Sequence, residues 1–451
     1  AGKMESFNED GAKISVHRQC YDIHKANFEE ILLFTLNLLL TLLRFLIEFV
    51  YKNLNYILIS VMLCLVLYAV YKSYWSPIYY YKELTDVGFD HIPTGPDRAN
   101  HISRVQNARK IGNKLPPPYP NGWFALVESS DLKIGGVIPV DALGFNFCVY
   151  RGEDGVARIV DAYCPHLGAN LAIGGTVCGN CIECPFHQWK FGENGNLISV
   201  PGIEHVPKGI SIKTWHCMEV DRSVWVWYDA EGRAPLWTVA EAPQLKTWGY
   251  RGRNEFLVSA HIQEIPENGA DVAHLNAVHT TSVLTDVGNK YALLSHIVGS
   301  HHWSAEWSPG TEQHTAMMTI VQKYIIMKYN VFPMKVVAHQ IGPAHVRLTF
   351  DTVLGPMMIT QSVTPLGPLL QRVVHRLYSP TYNALLAAYT VVGEAHQFQR
   401  DVRIWNSKQY VNSPAYVKTD KSIRAFRSWF SQFYSEHSIP LREALQNKLD
   451  W

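Results

Sequence analysis

Eighteen consecutive residues without a charge, "LNYILISVMLCLVLYAVY" from Leu54 to Tyr71, constrain the fold of this chain more than any other feature. At about 1.5 Å per residue a helix of that length covers roughly 27 Å, close to the ~30 Å hydrocarbon core of a bilayer. Lys52 and Lys72 bracket the run, and Tyr56, Tyr68 and Tyr71 sit near its ends. The stretch reads as a transmembrane helix. The preceding "ILLFTLNLLLTLLRFLIEFV", Ile31 to Val50, is as apolar but carries Arg44 and Glu48 one helical turn apart, where they can pair. For it, a second span and a helix lying in the interface both stay open. The apolar region is too long and too far from the start for a cleaved signal peptide. Met4 reads as the natural start, and Ala1 to Lys3 are set aside. Basic residues stand on both sides of the span, so charge bias assigns no orientation.

With 451 residues, 47% hydrophobic and 18% charged, the chain has enough material for two or three domains with their own cores. Its 40 basic and 39 acidic residues leave a net charge of +1, which offers no basic face for nucleic acid. A polar connector from Trp75 to Lys114 leads into "KLPPPYPNGW", whose prolines disfavour helix and mark a boundary. Beyond it, short β-branched and aromatic runs such as "FNFCVYRGEDG" and "VWVWYDAEG" alternate with Gly, Asn and Asp turns, the pattern of a small antiparallel β-domain. From about residue 250, strands such as "VVAHQI" mix with a helical stretch from about Ser379 to Lys408, which predicts an α+β domain.

Four of the eight cysteines crowd into "YCPHLGANLAIGGTVCGNCIECPFHQWKFGENG" with two histidines close to them. In a large chain this clustering speaks for metal rather than a disulfide framework. Cys164-Pro-His166, then seventeen residues, then Cys184-Pro-Phe-His187 makes two short loops, each offering one thiolate and one imidazole. A Rieske [2Fe-2S] cluster demands that set: two cysteines on one iron, two histidines on the other. Gly168, Gly174, Gly175 and Gly179 let the loops turn tightly and bring backbone N–H groups toward sulfur. Cys178 and Cys181 add a C-x-x-C pair that would suit zinc, but C-x-H is tighter than usual zinc spacing and "QWKFGENG" reads as strand and turn, not a finger helix. Cys178 and Cys181 are therefore read as non-ligands.

"CPHLGANL…CPFHQWKFGENG" after "PPPYPNGW" resembles the N-terminal domain of Rieske non-heme iron oxygenases. Respiratory Rieske subunits carry two further bridging cysteines; Ala169 and Phe186 stand in those places here, which favours the oxygenase branch. The implied architecture is a membrane-anchored α+β chain. It comprises 1–53, an N-terminal segment with an apolar helix; 54–71, the transmembrane helix; 72–120, a connector; 121–245, the antiparallel β Rieske domain; and 246–451, a helix-grip-like catalytic iron domain.

An electron-transfer cluster needs a place to spend its electrons. "ENGADVAHLNAVH" holds Asp271, His274 and His279. In a regular helix two histidines five apart point about 140° away from each other, so a break is expected between them if they share a metal. Asp271, three residues before His274, shares its face and can orient the imidazole. Two histidines and a carboxylate make the facial triad that binds Fe(II) in non-heme oxygenases. The D-x2-H-x4-H spacing resembles the iron motif of Rieske oxygenases, and D-x-x-I-W at Asp401 in "QFQRDVRIWNSK" resembles the third-ligand position of the steroid-acting members. Glu394, two turns earlier on the same helical face, is the alternative carboxylate, with Asp351 behind it. His301, His302, His314, His339, His345, His375 and His396 lack a partner spacing and read as surface or core. Trp303, Trp307, Tyr324, Phe332, Met317, Met318, Met357 and Met358 read mainly as core filling.

No G-x-G-x-x-G fingerprint is present, so NAD(P)H must feed the chain through a separate reductase or ferredoxin-type carrier. "KIGNKLPPPYPNGW", "PENGADVAHLNAVH", "HQIGPAHVRLTF", "QSVTPLGPLLQRVVHRLYSP" and "QFQRDVRIWNSKQY" resemble the Neverland group, animal sterol 7-desaturases that convert cholesterol to 7-dehydrocholesterol in steroid hormone biosynthesis. That resemblance implies O2 as co-substrate, a homotrimer in which Asp271 links one chain's cluster histidine to the next chain's His274, and an endoplasmic reticulum membrane with the catalytic domain facing the cytosol. A Rieske monooxygenase hydroxylating a steroid or other lipophilic ring is the alternative. A tethered electron carrier without chemistry of its own is a third.

Overall fold

Residues Val16 to Trp75 form one continuous helix in the computed structural model, which describes residues 16–112, 114–280 and 299–446. Leu32–Lys72 is its apolar part, 41 residues with a mean hydropathy of 2.1 in the most apolar window. From Leu32 to Val50 every residue is exposed, so this rod has no core-facing stripe. A helix that is apolar all round has a favourable environment only in lipid or against another chain. The two apolar stretches join without a turn. The apolar part is therefore one continuous rod, about 61 Å over those 41 residues, long and apolar enough to cross a membrane. Glu48 pairs forward with Lys52 at 3.9 Å, where the sequence set it against Arg44. Glu ahead of Lys at i,i+4 is the orientation that helix geometry favours.

The chain divides after Tyr71 into two units. Within the second, Gly122–Glu128 to Ser223–Tyr228 build three small antiparallel sheets of four, three and four strands. The seam between the sheets is sealed by alternating inward residues, among them Phe147, Val149, Ile159, Val224 and Val226, all at most 1% exposed. The next domain is one nine-stranded sheet. Its order is Ile78–Lys82, Gly249–Val258, Leu370–Ser379, Met357–Gly367, His345–Thr352, Met334–Ile341, Thr315–Ile326, Ser300–Pro309, with Tyr329–Asn330 beside Thr315–Ile326.

Two stretches expected as a bare connector are structured. Ile78–Lys82 adds to the edge of the large sheet as a parallel partner of Gly249–Val258. The helix Arg98–Ala108 leads to Arg109, whose guanidinium donates to the carbonyls of Ser259, Trp405 and Asn406. The pairing of Ile78–Lys82 is with a strand over 160 residues away, which no local pattern reveals.

The long helix Ala384–Trp405 packs across the sheet, setting Ala387 and Val391 against Met357, Ile359 and Leu377, and Ala395, Phe398 and Val402 against Phe256 and Val258. The cavity described next lies where this helix meets the sheet and the short helix Val272–Val278: Phe398 and Asp401 line it from the long helix, Val336, Leu348 and His375 from the strands, and Leu275 from the short helix.

Candidate functional site

The two cysteine loops share one construction. In the first, Cys164 N–H donates to the Ala169 carbonyl and Gly168 N–H donates to the Cys164 carbonyl, both at 2.9 Å. In the second, Cys184 N–H donates to Trp189 (2.8 Å) and Gln188 N–H to Cys184 (3.0 Å). The turn closes each time through a left-handed residue, Gly168 (φ 74°) and Gln188 (φ 57°). A non-glycine there is uncommon and costs strain. Gly175 sits where a Cβ would come within 2.0 Å of the Leu171 carbonyl, so the loops close only with glycine.

This construction sorts the donors. Cys164 and Cys184 are 2% and 1% exposed, while His166 lies at the surface and His187 is half-buried. The imidazoles are neighbours, with ring centroids 4.6 Å apart, and His166 stacks on Trp189 at 4.2 Å. Burial pushes the Cys164 thiol up, while the His166 backbone N–H pulls the other way. Thiols inside and imidazoles outside fit a cluster whose two irons take different ligands. Cys178 and Cys181 pair across the hairpin Thr176–Cys178/Cys181–Glu183, away from this construction; both are free.

The second constellation forms where three elements meet. Val272–Val278 is capped by Asp271, whose Oδ1 accepts from His274 N at 3.1 Å. The helix stops at His279 (φ −109°, ψ 19°), which swings the second imidazole back toward the first; the rings lie 5.3 Å apart. The expected break is thus a helix end. His274 Nδ1 contacts the Asp271 backbone carbonyl, so the Asp271 carboxylate caps the helix and the carbonyl orients the ring, where the sequence had the carboxylate do so.

Asp401 arrives from the long helix, and its Oδ1 lies 3.1 Å from His279 Nε2. Donor atoms of His274, His279 and Asp401 all lie within 4.8 Å of one another. Gln397, one turn before Asp401, accepts from His279 Nδ1 at 2.9 Å, and Arg400 donates to the same Gln397 oxygen at 3.0 Å. In the tautomer with its proton on Nδ1, toward the Gln397 oxygen, the neutral form of His279 turns a bare Nε2 lone pair toward a carboxylate. Two acceptors face each other, an arrangement that a cation satisfies. Burial, opposed by Asp401, lowers the His274 pKa and keeps the imidazole neutral. The donor set suits Fe(II).

Glu394 is engaged elsewhere: its Oε1 lies 2.6 Å from His375 Nδ1 and its Oε2 accepts from Asn254. Asp351 is exposed on the strand His345–Thr352. The triad opens on a cavity of about 260 Å³ lined largely by apolar side chains, including Trp303, Trp307, Met317 and Met318. All four line the cavity; Trp307 and Met318 are also core, as the sequence had them, and Met357 and Met358 are buried core, each 1% exposed. Sequence reasoning missed Gln397 and His375. The i,i+4 spacing of Gln397 and Asp401 was the available signal for the first; none existed for the second.

Residues 122–214 match the family described as Rieske [2Fe-2S] domain, and residues 226–434 match the 3-ketosteroid 9alpha-hydroxylase C-terminal domain. That pairing of domains defines an oxygenase in which a Rieske [2Fe-2S] cluster serves a mononuclear iron. Among solved structures the chain shares its fold with Pseudomonas putida CBB5 NdmA with caffeine (TM-score 0.53, 17% identity, 73% of this chain and 94% of that one). It is 62% identical over 386 residues to "Cholesterol 7-desaturase nvd" of Bombyx mori, covering 86% of this chain and 85% of that protein. The Drosophila melanogaster protein of the same name is 42% identical over 356 residues, 77% of this chain and 82% of that one. The chain belongs to the cholesterol 7-desaturase group of Rieske oxygenases.

Proposed function

We propose that this chain is a membrane-anchored cholesterol 7-desaturase, removing hydrogens from C7 and C8 of cholesterol with O2 and NAD(P)H-derived electrons to give 7-dehydrocholesterol. The observation that carries this reading is a His274–His279–Asp401 triad at the head of an apolar cavity, in a chain 62% identical to a cholesterol 7-desaturase. Cholesterol, O2, two electrons and two protons balance 7-dehydrocholesterol and two waters.

In this reading Cys164, His166, Cys184 and His187 hold the [2Fe-2S] cluster, and His274, His279 and Asp401 hold the mononuclear Fe(II). When bound, the cluster supplies electrons one at a time and the Fe(II) binds and reduces O2. Gln397 and the Asp271 carbonyl hold the two imidazoles in the tautomer that leaves each Nε2 free for metal. Trp303 donates its indole N–H to the His279 carbonyl at 3.0 Å, tying the ligand loop to the cavity wall. The apolar wall excludes water and suits a lipophilic ring system.

Electrons enter from a separate reductase or ferredoxin-type donor at the exposed rim of Leu167 and Phe186 beside the cluster histidines. The assembly is a head-to-tail homotrimer in which Asp271 joins the cluster of one chain to the triad of the next. The helix Leu32–Lys72 anchors it in the endoplasmic reticulum membrane with the catalytic unit in the cytosol.

The match of residues 226–434 to a hydroxylase domain supports a second reading, hydroxylation of a steroid ring. Incubating the full chain with cholesterol, a redox chain and O2 separates them by product mass. Loss of two hydrogens is expected; gain of one oxygen establishes the hydroxylase.

A further inference from the structure

Among the polar groups that line the cavity besides the triad, one histidine lacks a hydrogen-bond partner among the described residues. His375, on the strand Leu370–Ser379, lines it and is 5% exposed. Its Nδ1 lies 2.6 Å from Glu394 Oε1, close in distance though not aligned as a full hydrogen bond. Asn254 donates its amide to the other Glu394 oxygen and, at 2.8 Å, to the Val391 carbonyl. Phe398 packs on the ring at 4.7 Å with an interplanar angle of 79°. The imidazole is therefore flanked by Phe398 and by Glu394, which Asn254 holds in turn. Its Nε2 is buried and meets no hydrogen-bond partner among the described residues.

A buried, rigidly held ring nitrogen without a partner is uncommon, because the desolvation it suffers goes uncompensated. Here the residue that carries it lines the substrate cavity, and the nitrogen itself is closed to water until the ring or its neighbours shift to admit a ligand. We propose that His375, backed by Glu394 and Asn254, is the residue that binds the 3-hydroxyl of the sterol, taking its O–H on Nε2. The inference rests on the sterol reading of the cavity and adds the group that orients the substrate within it.

The chemistry gives the site a preference. In the tautomer that carries its proton on Nδ1, the side of the Glu394 carboxylate, the neutral ring presents Nε2 as an acceptor. An acceptor takes a hydroxyl and has nothing to offer a ketone. His375 thus selects 3-hydroxysterols against 3-ketosteroids, and a site built around a hydrogen bond penalises the ligand that lacks it. The position is consistent. Glu394 precedes Asp401 by seven residues, two helical turns or about 10 Å along the axis. C3 lies one fused ring from C7, so a sterol with C7 at the triad directs its ring-A oxygen toward this second polar point.

The test is equilibrium binding of cholesterol, 5-cholestene (no 3-oxygen) and 5-cholesten-3-one to the detergent-solubilised holoenzyme, anaerobically and without reductant. The wild type is expected to bind cholesterol at least tenfold more tightly than either analogue. His375→Leu is expected to erase that difference by weakening cholesterol alone, with iron content unchanged, and His375→Gln, which keeps an acceptor, to restore part of it. Equal binding of all three sterols by the wild type overturns the proposal without any variant that must fold. So does a His375→Leu protein that keeps the tenfold preference. Turnover is scored separately: desaturation without hydroxyl preference removes the anchor alone, and hydroxyl preference through His375 without desaturation removes the desaturase reading alone.

Discussion

His279 Nε2 lies 3.1 Å from Asp401 Oδ1, although 122 residues separate them in the chain. The contact joins the end of a short helix to the middle of the wall that closes the cavity, and both partners are buried, at 6% and 8% exposure. The full holoenzyme should carry three irons per chain, two in the cluster and one at the triad. Asp401→Ala or His274→Ala is expected to remove one iron, leave the cluster's visible absorption intact and abolish turnover. Glu394→Gln should retain all three. Iron analysis with absorption spectroscopy reads both results, and loss of the third iron in Glu394→Gln would make Glu394 the ligand.

The capping role of Asp271 is separable by substitution from the inter-chain role proposed for it. As the helix cap it accepts from His274 N, and Asp271→Ala should cost about 1 kcal/mol of stability, read as a lower unfolding midpoint. Asn caps as well as Asp, so Asp271→Asn should keep the midpoint and the iron content. If the carboxylate also bridges chains, Asp271→Asn should still lose turnover by tenfold or more while its cluster remains reducible by dithionite. Full turnover in Asp271→Asn would confine the residue to capping.

Cys184→Ser should lose both cluster irons, since the loop places its thiol inside at 1% exposure. Cys178→Ser and Cys181→Ser, singly or together, are expected to leave the cluster's electron paramagnetic resonance signal and turnover within twofold of the wild type. A lost signal in either would enlarge the ligand set.

Asp221 sets an acid limit on stability. It is 1% exposed, its Oδ2 lies 2.6 Å from Arg347 Nε, and His345 Nε2 stands 3.1 Å away. Burial alone would raise its pKa, but His345 and Arg347 outweigh it and bring the carboxyl to about 2. Between about pH 4 and pH 2 the unfolded chain takes up this proton and the folded one does not, so stability falls as pH drops through that window. The contribution at neutral pH is about 2 kcal/mol on this basis. Denaturant titrations at pH 6 and pH 3 should show a steeper loss for the wild type than for Asp221→Asn, whose dependence lacks this group.

The long apolar helix, the two cysteine loops and the D-x2-H-x4-H segment were legible because each is local: an apolar run, a C-x-H and a C-x-x-H, two histidines five apart. Even the break between His274 and His279 followed from helix periodicity, and the structure realises it as a helix end. Resemblance supplied Asp401, and the fold sets it beside His279 while giving Glu394 to His375 and Asn254.

Local chemistry in the sequence thus determined which residue types are offered to metal and that a lipid-compatible helix precedes them. Tertiary structure alone decided which of two carboxylates on one helical face meets the histidines, that Gln397 holds His279, and that His375 lines the cavity. It also drew Ile78–Lys82 into the large sheet. The reason is physical: metal and substrate sites form where strands and helices distant in sequence pack together, and the burial that sets their partners exists only after packing.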